Sequence, residues 1–420
     1  MLGQPQRWGS TLVYGFAHFG KSLLWYSSEI LFAFFLTELA GLRASQMGVV
    51  LAAGFVASAF IDLAVALTLR QWLVASGTAG RLQLAGSAIS SLMLGAVFAG
   101  AWLPADIRYG YALIAGVAFR VAYALYDIPQ NALMSLATTD AASRRSVAST
   151  RIWFSGGATL TIAAVIGPMI ASSKRSEGAS LLVLLSAAFA VVAVISAFML
   201  SRYLSAPKDT MIEERSVRRW HPTAEFWLII SMSFATTIFT PAFAKLVPYV
   251  ADQARGAGLW GSLTIAMMAV GIMGGQPLWL RMHRHMSSGL VLIAASVAQI
   301  GSLIVFWSAG PTTSVLSAVA AIGFGLGNGG VGMVMWAALS DVVARSAPGS
   351  AGVAYGLFLA SNKIGLALGG GVIAVALAGV SLDDFRDLTL LMLMAAIPAV
   401  GAICLIASGM LFRIVRPARS

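Results

Sequence analysis

The sequence predicts an all-α integral membrane protein with twelve transmembrane helices in two six-helix bundles. Three features of its 420 residues carry that prediction. Hydrophobic residues make up 59% of the chain and charged residues 10%, whereas a soluble globular chain carries about 25% charged residues. Apolar windows of roughly 20 residues, the length that crosses a hydrocarbon core about 30 Å thick, recur between charged or turn-forming residues. A single long polar stretch, SRYLSAPKDTMIEERSVRRWHPTAE, falls mid-chain and leaves six windows on each side.

The expected cores are 11–38, 46–69, 82–103, 108–136, 150–172, 179–201, 224–249, 256–280, 288–308, 313–340, 348–379 and 386–412. Only Arg7 precedes the first, and no small-residue cleavage signal follows it, so it is expected to be a retained span. The second and third are separated by Arg70 and Arg81, the third and fourth by Pro104 to Arg108. The fourth and fifth are parted by the polar run TTDAASRR, and the sixth leads into the central polar stretch. In the second half the separators are the segment around Arg255, the basic run RMHRH, the Gly310-Pro311 turn, the segment around Arg345 and Pro348, and finally LDDFRD. None of the windows alternates inside and outside as a membrane β-strand would. The expected units are an N-terminal bundle (1–201), a cytoplasmic linker (202–223) and a C-terminal bundle (224–420).

The formal charge of +11 is expected at lipid headgroups on one face, with no need of a nucleic-acid partner. With both termini inside, the cytoplasmic set is Arg7, Arg70, Arg81, Arg144, Arg145, Arg202, Lys208, Arg215, Arg218, Arg219, Arg281, Arg284, Arg345, Arg413, Arg416 and Arg419. The outer set is Arg43, Arg108, Lys174, Arg175, Arg255 and Arg386. The bias favours cytoplasmic termini in a bacterial inner membrane. The lone Cys404 allows no disulfide framework and no CxxC site. GxSxG, HExxH and a convincing triad are missing from the sequence, so no enzyme and no cofactor are expected. The glycine runs GFGLGNGGVG around Asn328 and GLALGGG from Gly365 lack the strand-to-helix setting of a nucleotide loop and read as close-packing or bending regions.

Ionisable groups inside a bilayer rarely face lipid and by default mark a polar cavity or an ion path. The acids to explain are Glu29, Asp62 and Asp127, and their possible counter-charges are Lys21, Arg120, Arg151, Lys363 and Lys245. The alternative is that some of these groups simply lock helices together. Arg120 and Asp127 lie seven residues apart in FRVAYALYDIPQNALM, close to two helical turns, so both can face one cavity. Pro129 removes a donor beside the acid and predicts a kink, and Asn131 adds an amide. Ser361, Asn362 and Lys363 form an opposing polar group in AYGLFLASNKIGLALGGG. The first window mixes Tyr14, His18, Lys21, Trp25, Tyr26 and Glu29; Trp25 and Tyr26 can stack on a solute, whereas Tyr14 reads as an interfacial anchor. Met232, Met267, Met268 and Met273 are the alternative soft-metal set, suited to Cu(I), although methionine is also an ordinary apolar filler.

These residues carry a resemblance. The chain resembles the major facilitator superfamily, and within it the melibiose-permease type of glycoside, pentoside and hexuronide:cation symporters, from the first window to the last. The matching segments are YGFAHFGK at 14–21, FFLTELAGL at 34–42, YDIPQNALM at 126–134, the Asp341 region, and AYGLFLASNKIG at 354–365. The resemblance implies the major facilitator fold. It places Asp127 at the family's sugar-site acid, Arg151 at its fifth-span arginine, Lys363 at its eleventh-span lysine and Asp62 at the first of two second-span cation carboxylates. The second carboxylate falls at Ala66 and a sodium-ligating hydroxyl at Ala124, which favours protons over sodium. The acid after the first-span lysine falls at Ser22 and the aromatic beyond the fourth-span acid at Asn131, while Glu29 and Arg120 are additions to the pattern. The family's basic loop between spans 2 and 3 is reduced to Arg70 and Arg81.

The expected function is proton-coupled import of a small polar organic solute, sugar-like or a vitamin such as a flavin, by alternating access in a monomer. Asp62, Asp127, Lys363 and Glu29 are the coupling candidates; Lys21, Tyr26, Arg120, Asp127, Asn131, Arg151, Asn362 and Lys363 are the solute-binding ones. The rivals are a copper or other metal importer, an exporter of the same fold, and a non-transporting membrane scaffold. Cysteines introduced near residues 210 and 384 should be respectively protected and labelled by an impermeant reagent in intact cells; the reverse pattern rejects this orientation.

Overall fold

The computed structural model describes residues 8–32, 35–171, 175–204, 220–253, 258–310, 314–347, 349–378 and 388–415. Arg7, Lys174, Arg255, Arg386, Arg416, Arg419, Phe34 of the FFLTELAGL segment, and most of the expected linker, including Lys208, Arg215, Arg218 and Arg219, lie outside the described residues. The described residues form α1 (Trp8–Tyr26), α2 (Ala44–Thr68), α3 (Ser76–Ala99), α4 (Arg108–Leu136), α5 (Ala141–Ala171), α6 (Arg175–Leu204), α7 (Ala224–Phe239), α8 (Ala242–Gln253), α9 (Gly258–Gly274), α10 (Gln276–His285), α11 (Ser288–Ala309), α12 (Val315–Ser346), α13 (Ala351–Ala378) and α14 (Leu388–Val415). Two π-helical turns, Ser27–Leu31 and Phe35–Leu39, follow α1, and a short 3-10 turn, Gly100–Trp102, follows α3. Strands are absent among the described residues, as a bilayer demands of an open chain whose backbone groups must be paired internally.

Ten helical stretches among the described residues are long and apolar enough to cross a membrane. They occupy ten of the expected windows, the seventh as α7 plus α8 and the eighth as α9 plus α10. The first and fifth windows are occupied by α1 with its π-helical continuation and by α5. The break between α7 and α8 falls at Thr240 and Pro241, and that between α9 and α10 at Gly275 just ahead of Pro277, where a missing amide donor interrupts the ladder. Helix α4, in contrast, continues through Pro129.

Two compact units are formed. The first comprises Met1–Val147, Gly157–His221 and Val343–Ala360, and the second Ala148–Gly156, Pro222–Val342 and Ser361–Ser420. In the first, α3 packs on α4 and α6, α1 on α6, and α2 on α4. Its core gathers Leu24, Phe35, Leu36, Phe98, Phe119 and Tyr126, with the Phe35 and Phe98 rings edge to face at 5.2 Å. In the second, α14 packs on α7, α8 and α11, and α8 on α9. Phe243 sits at its centre, 4.3 Å from Phe324 and 4.9 Å from Phe306 between ring centroids. Large side chains such as Phe60, Leu92, Ile114 and Ile414 are exposed, the outward face expected of helices whose solvent is lipid.

Ends are capped by side chains. Thr223 accepts from the Phe226 amide at 3.2 Å at the start of α7, and Ser287 from the Leu290 amide at 3.4 Å at the start of α11. Asp140, ahead of α5, accepts from the Ser143 amide at 2.8 Å and its hydroxyl at 2.7 Å. The Ser143 backbone bond, followed by its hydroxyl, holds the Asp140 carboxyl below the usual carboxylate range. Arg108, at the start of α4, donates to the Ala40 carbonyl at 3.0 Å and the Leu103 carbonyl at 2.7 Å, closing the far end of the first span, where Gly41 adopts a φ of 71°.

Glycines set the closest helix crossings, as expected without a hydrophobic drive between helices in lipid. A Cβ on Gly86 of α3 would land on the Leu125 and Tyr126 backbone of α4, one on Gly325 of α12 on the Met268 carbonyl, and one on Gly369 of α13 on the Ile238 carbonyl. Gly370 and Gly371 face open space, so only part of the glycine run packs closely. Gly86→Ala should lower the melting temperature in detergent, because a methyl against backbone cannot be relieved by a rotamer and costs about 1–3 kcal/mol. Gly301→Ala, at a position with nothing within 4 Å, should leave it unchanged or raise it, since alanine is favoured over glycine by roughly 1 kcal/mol in a helix. Equal effects of the two changes would contradict the close crossing.

Candidate functional site

The first unit brings α1 and its continuation against α4 through two ion pairs. Lys21 Nζ lies 2.7 Å from Asp127 Oδ1 and donates to Asn131 Oδ1 at 2.8 Å. The Asn131 amide in turn donates to Asp127 Oδ1 at 2.8 Å, closing a triad whose members are all buried. Asp127 and Asn131 are four apart on α4 and therefore neighbours on its surface. In the second pair, Arg120 Nη2 donates to Glu29 Oε1 at 2.8 Å. The order of partners shows that the two segments run antiparallel: position advances from 21 to 29 on the first span as it falls from 127 to 120 on α4.

Local backbone geometry makes both pairs possible. Arg120 and Asp127, seven apart at about 100° per residue, point within about 20° of each other. Lys21 and Glu29 are eight apart, which in a regular α-helix leaves them about 80° apart. The π-helical turn Ser27–Leu31 accommodates about one extra residue, so the spacing behaves as seven and Glu29 returns to the Lys21 side. Ser27 and Ser28 donate to the Leu23 and Trp25 carbonyls, each at 2.7 Å, which is how hydroxyls absorb irregular backbone in a membrane.

Below the triad an amide network ties four helices together. Gln130 Nε2 donates to the Ala17 carbonyl at 3.1 Å, Gln83 Nε2 to the Ala197 carbonyl at 2.7 Å, and Tyr14 Oη to the Gln130 carbonyl at 3.4 Å. The interfacial-anchor reading of Tyr14 is thereby corrected. Its ring is buried and stacked on His18 at 6.5 Å, because its hydroxyl finds a protein acceptor instead of headgroup water. Asp62 is fully buried on α2, and a Cβ on Gly356 would approach its carbonyl and the Ala66 methyl. Tyr26 and Trp25 are partly buried against the unit's apolar core, Trp25 with its ring 5.3 Å from that of Tyr123.

In the second unit Arg151 Cζ lies over the Trp336 ring, 3.6 Å from its centroid. Asn362 Oδ1 accepts from Ser233 Oγ at 2.5 Å, and Lys363 is buried one residue further on α13. Met232 and Met268 are buried, Met267 packs with Met268 in the apolar core, and Met273 lies against Gly156. Among the described residues, no group of three or more His, Cys, Asp or Glu side chains is placed to hold a metal ion.

Sequence reasoning foresaw Lys21, Glu29, Arg120, Asp127 and Asn131 but not how they pair. It missed Phe55, Gln83, Gln130, Ser233 and Trp336. The signal for the glutamines was present, since an amide in an apolar window must find partners; Trp336 gave none, being one of several tryptophans in apolar runs.

Membrane-crossing helices with charged pairs packed inside a helical unit suit a solute carrier as well as a membrane scaffold, and comparison with known proteins settles the class. The chain matches the MFS/sugar transport protein family over residues 13–416 and belongs to that family. It is therefore a major facilitator transporter and not an enzyme. It is 23% identical over 395 residues, 90% of this chain and 84% of the relative, to a protein of Escherichia coli (strain K12) called "Glucuronide carrier protein homolog". Its fold is shared by a bacterial homologue of the iron transporter ferroportin in an outward-facing state with soaked iron, at a TM-score of 0.67 and 13% identity over 95% of this chain and 98% of that one. It is shared also by the E. coli fucose:proton symporter, at a TM-score of 0.63 and 13% identity over 96% of this chain and 98% of that one.

The two ion pairs can be separated from their surroundings by exchange. Lys21→Ala should destabilise the folded protein by about 3–5 kcal/mol by leaving a buried acid uncompensated, whereas the exchanged double variant Lys21→Asp with Asp127→Lys should recover part of that loss. A double-mutant cycle on detergent melting measures the coupling; additive single effects would mean that the pair contributes nothing.

Proposed function

We propose that the protein is a proton-coupled importer of a small polar organic solute, sugar- or glycoside-like or a vitamin such as a flavin, in the inner membrane of a bacterium with both termini in the cytoplasm. The buried triad Lys21, Asp127 and Asn131 carries the reading. It supplies a titratable acid, a cation and a two-sided amide at one point inside the first unit, the set that can hold hydroxyls of a solute and respond to a proton. A relative named as a glucuronide carrier homolog supports an organic solute, and the fold shared with a fucose:proton symporter is in keeping with proton coupling.

In this reading residues 1–201 and 224–420 form two bundles joined by 202–223 and rock by alternating access. Asp62 and Asp127 take up the proton, with Glu29 in reserve. Lys363 compensates an ionised acid and is released when that acid is neutralised. Arg151, Asn362 and Tyr26 complete the solute contacts, Arg151 from a guanidinium already oriented by Trp336. Sodium is disfavoured because Ala66 and Ala124, both fully buried, present methyl groups where a cation needs oxygen. The methionines pack as apolar filler in the second unit, which supports the organic solute over Cu(I).

Purified protein should be screened for binding against sugars, glycosides, riboflavin, amino acids and Cu(I), and the best ligand carried into proteoliposomes with imposed gradients. A pH gradient should drive accumulation and a sodium gradient should add little. Asp62→Asn should weaken proton-driven accumulation more than equilibrium exchange, since it removes a titratable group and keeps the shape. Equal proton-to-solute coupling in wild type and Asp62→Asn would exclude Asp62 as the carrier, and strict sodium dependence would overturn proton coupling itself.

A further inference from the structure

Arg120 is 3% exposed in the middle of α4. Its guanidinium is ringed by aromatic faces, at 5.2 Å from Trp25, 5.1 Å from Phe55 and 5.9 Å from Phe119. Glu29 engages it through one nitrogen, Nη2. The other, Nη1, is buried with no hydrogen-bond partner among the described residues. A cavity of about 10 Å³ is bordered by Arg120, Ser28, Phe32 and Gly116, with room for about one water-sized group.

A guanidinium presents its donors as a planar fork that matches both oxygens of a carboxylate. Here the fork is half used. Glu29 is the more exposed partner, its side chain 15% accessible against 4% for Arg120, and it stands on the widened turn Ser27–Leu31, one of two π-helical turns in this span. A buried N–H left unmet in an apolar shell is costly, and the shell strengthens any anion that meets it. An acid that occupies one prong of a buried fork leaves the other prong without its match.

We propose that Arg120 is the receptor for a carboxylate carried by the transported solute, which displaces Glu29 from the guanidinium and engages both prongs of the fork. The proposal rests on the transport reading and narrows its substrate class to organic acids with an apolar or aromatic body, the body lying against Trp25, Phe55 and Phe119. Glu29 keeps Arg120 compensated when no solute is bound.

The test uses the full-length protein in detergent and matched pairs of probes: benzoate and benzamide, phenylacetate and phenylacetamide, phenyl-β-D-glucuronide and phenyl-β-D-glucoside, with phenyl phosphate as a further anion. Binding is read by thermal shift and by quenching of tryptophan fluorescence, with Trp25→Phe identifying the local signal. At least one acid should bind tenfold or more tightly than its neutral partner. Glu29→Gln, which removes the competing charge and keeps the shape, should tighten that acid about tenfold, and Arg120→Gln should abolish the preference. If Arg120→Gln does not fold, Arg120→Lys decides: it keeps the charge and loses the fork, so loss of the preference supports the proposal and its retention overturns it. Equal binding of acid and neutral partners, binding of no probe, tighter binding of phenyl phosphate, or weaker binding in Glu29→Gln would each overturn it. Equilibrium binding needs no gradient, so a failure of proton-driven uptake would sink the transport mechanism and leave this result standing.

Discussion

The cost of placing charge in hydrocarbon governs the first unit. Lys21, Glu29, Arg120 and Asp127 cannot face lipid, so the first span and α4 must lie side by side and antiparallel with these residues in register. The two pairs have opposite polarity: the cation is on the first span in one and on α4 in the other. Sliding the segments past each other by two turns, or reversing one of them, would bring like charges together. The alignment is thus specified by electrostatics, while apolar packing of leucine and phenylalanine would tolerate several registers. The π-helical turn at Ser27–Leu31 follows from the same demand, since an eight-residue spacing on one side must meet a seven-residue spacing on the other.

Around that axis the remaining features divide by what they have to satisfy. Gln83, Gln130 and Tyr14 spend their polar groups on backbone carbonyls of neighbouring helices, including Ala17 and Ala197, and so fix helix positions without charge. Gly86, Gly325 and Gly369 let backbones approach where no side chain fits. Serines and threonines return hydroxyls to carbonyls of their own helix, as Thr236 does to Met232 at 2.9 Å. The amides and hydroxyls among these settle polar groups inside the protein, because the surrounding solvent offers no hydrogen bonds.

Much of this was legible in the sequence, because length and apolar windows are strong signals in a membrane chain. The members of the site were also visible: an ionisable residue in an apolar run announces itself, and Lys21, Glu29, Arg120 and Asp127 did so. Their pairing was not. Seven-residue spacing suggested that Arg120 and Asp127 share one cavity, yet each takes its own partner, because the facing span offers a cation and an acid at nearly matching heights. The π-helical turn that aligns Glu29 has no sequence signature beyond two serines. The breaks at Pro241 and Gly275 carry familiar breaker residues, whereas Pro129, equally conspicuous, lies within a continuous helix. Around Pro129 α3 approaches closely, with Gly86 against the Leu125 and Tyr126 backbone.

Buried ion pairs are poor sources of stability, since apolar residues of similar volume often do as well or better. Their distinguishing property is asymmetry. An intact pair is nearly neutral in energy, but neutralising one partner strands the other at a cost of about 3–5 kcal/mol. Swinging a two-state equilibrium from 1:99 to 99:1 requires about 5.5 kcal/mol. A single proton on Asp127, or a single solute acid drawing Arg120 from Glu29, thus acts on the same scale as a full change of conformational population. Two such pairs stacked about 10 Å apart along α4, at 1.5 Å per residue, give the same helix interface two independent points at which that change can be triggered. In the proposed reading one takes the proton and the other the anion, so a transport cycle that needs both events can require both before the access state changes.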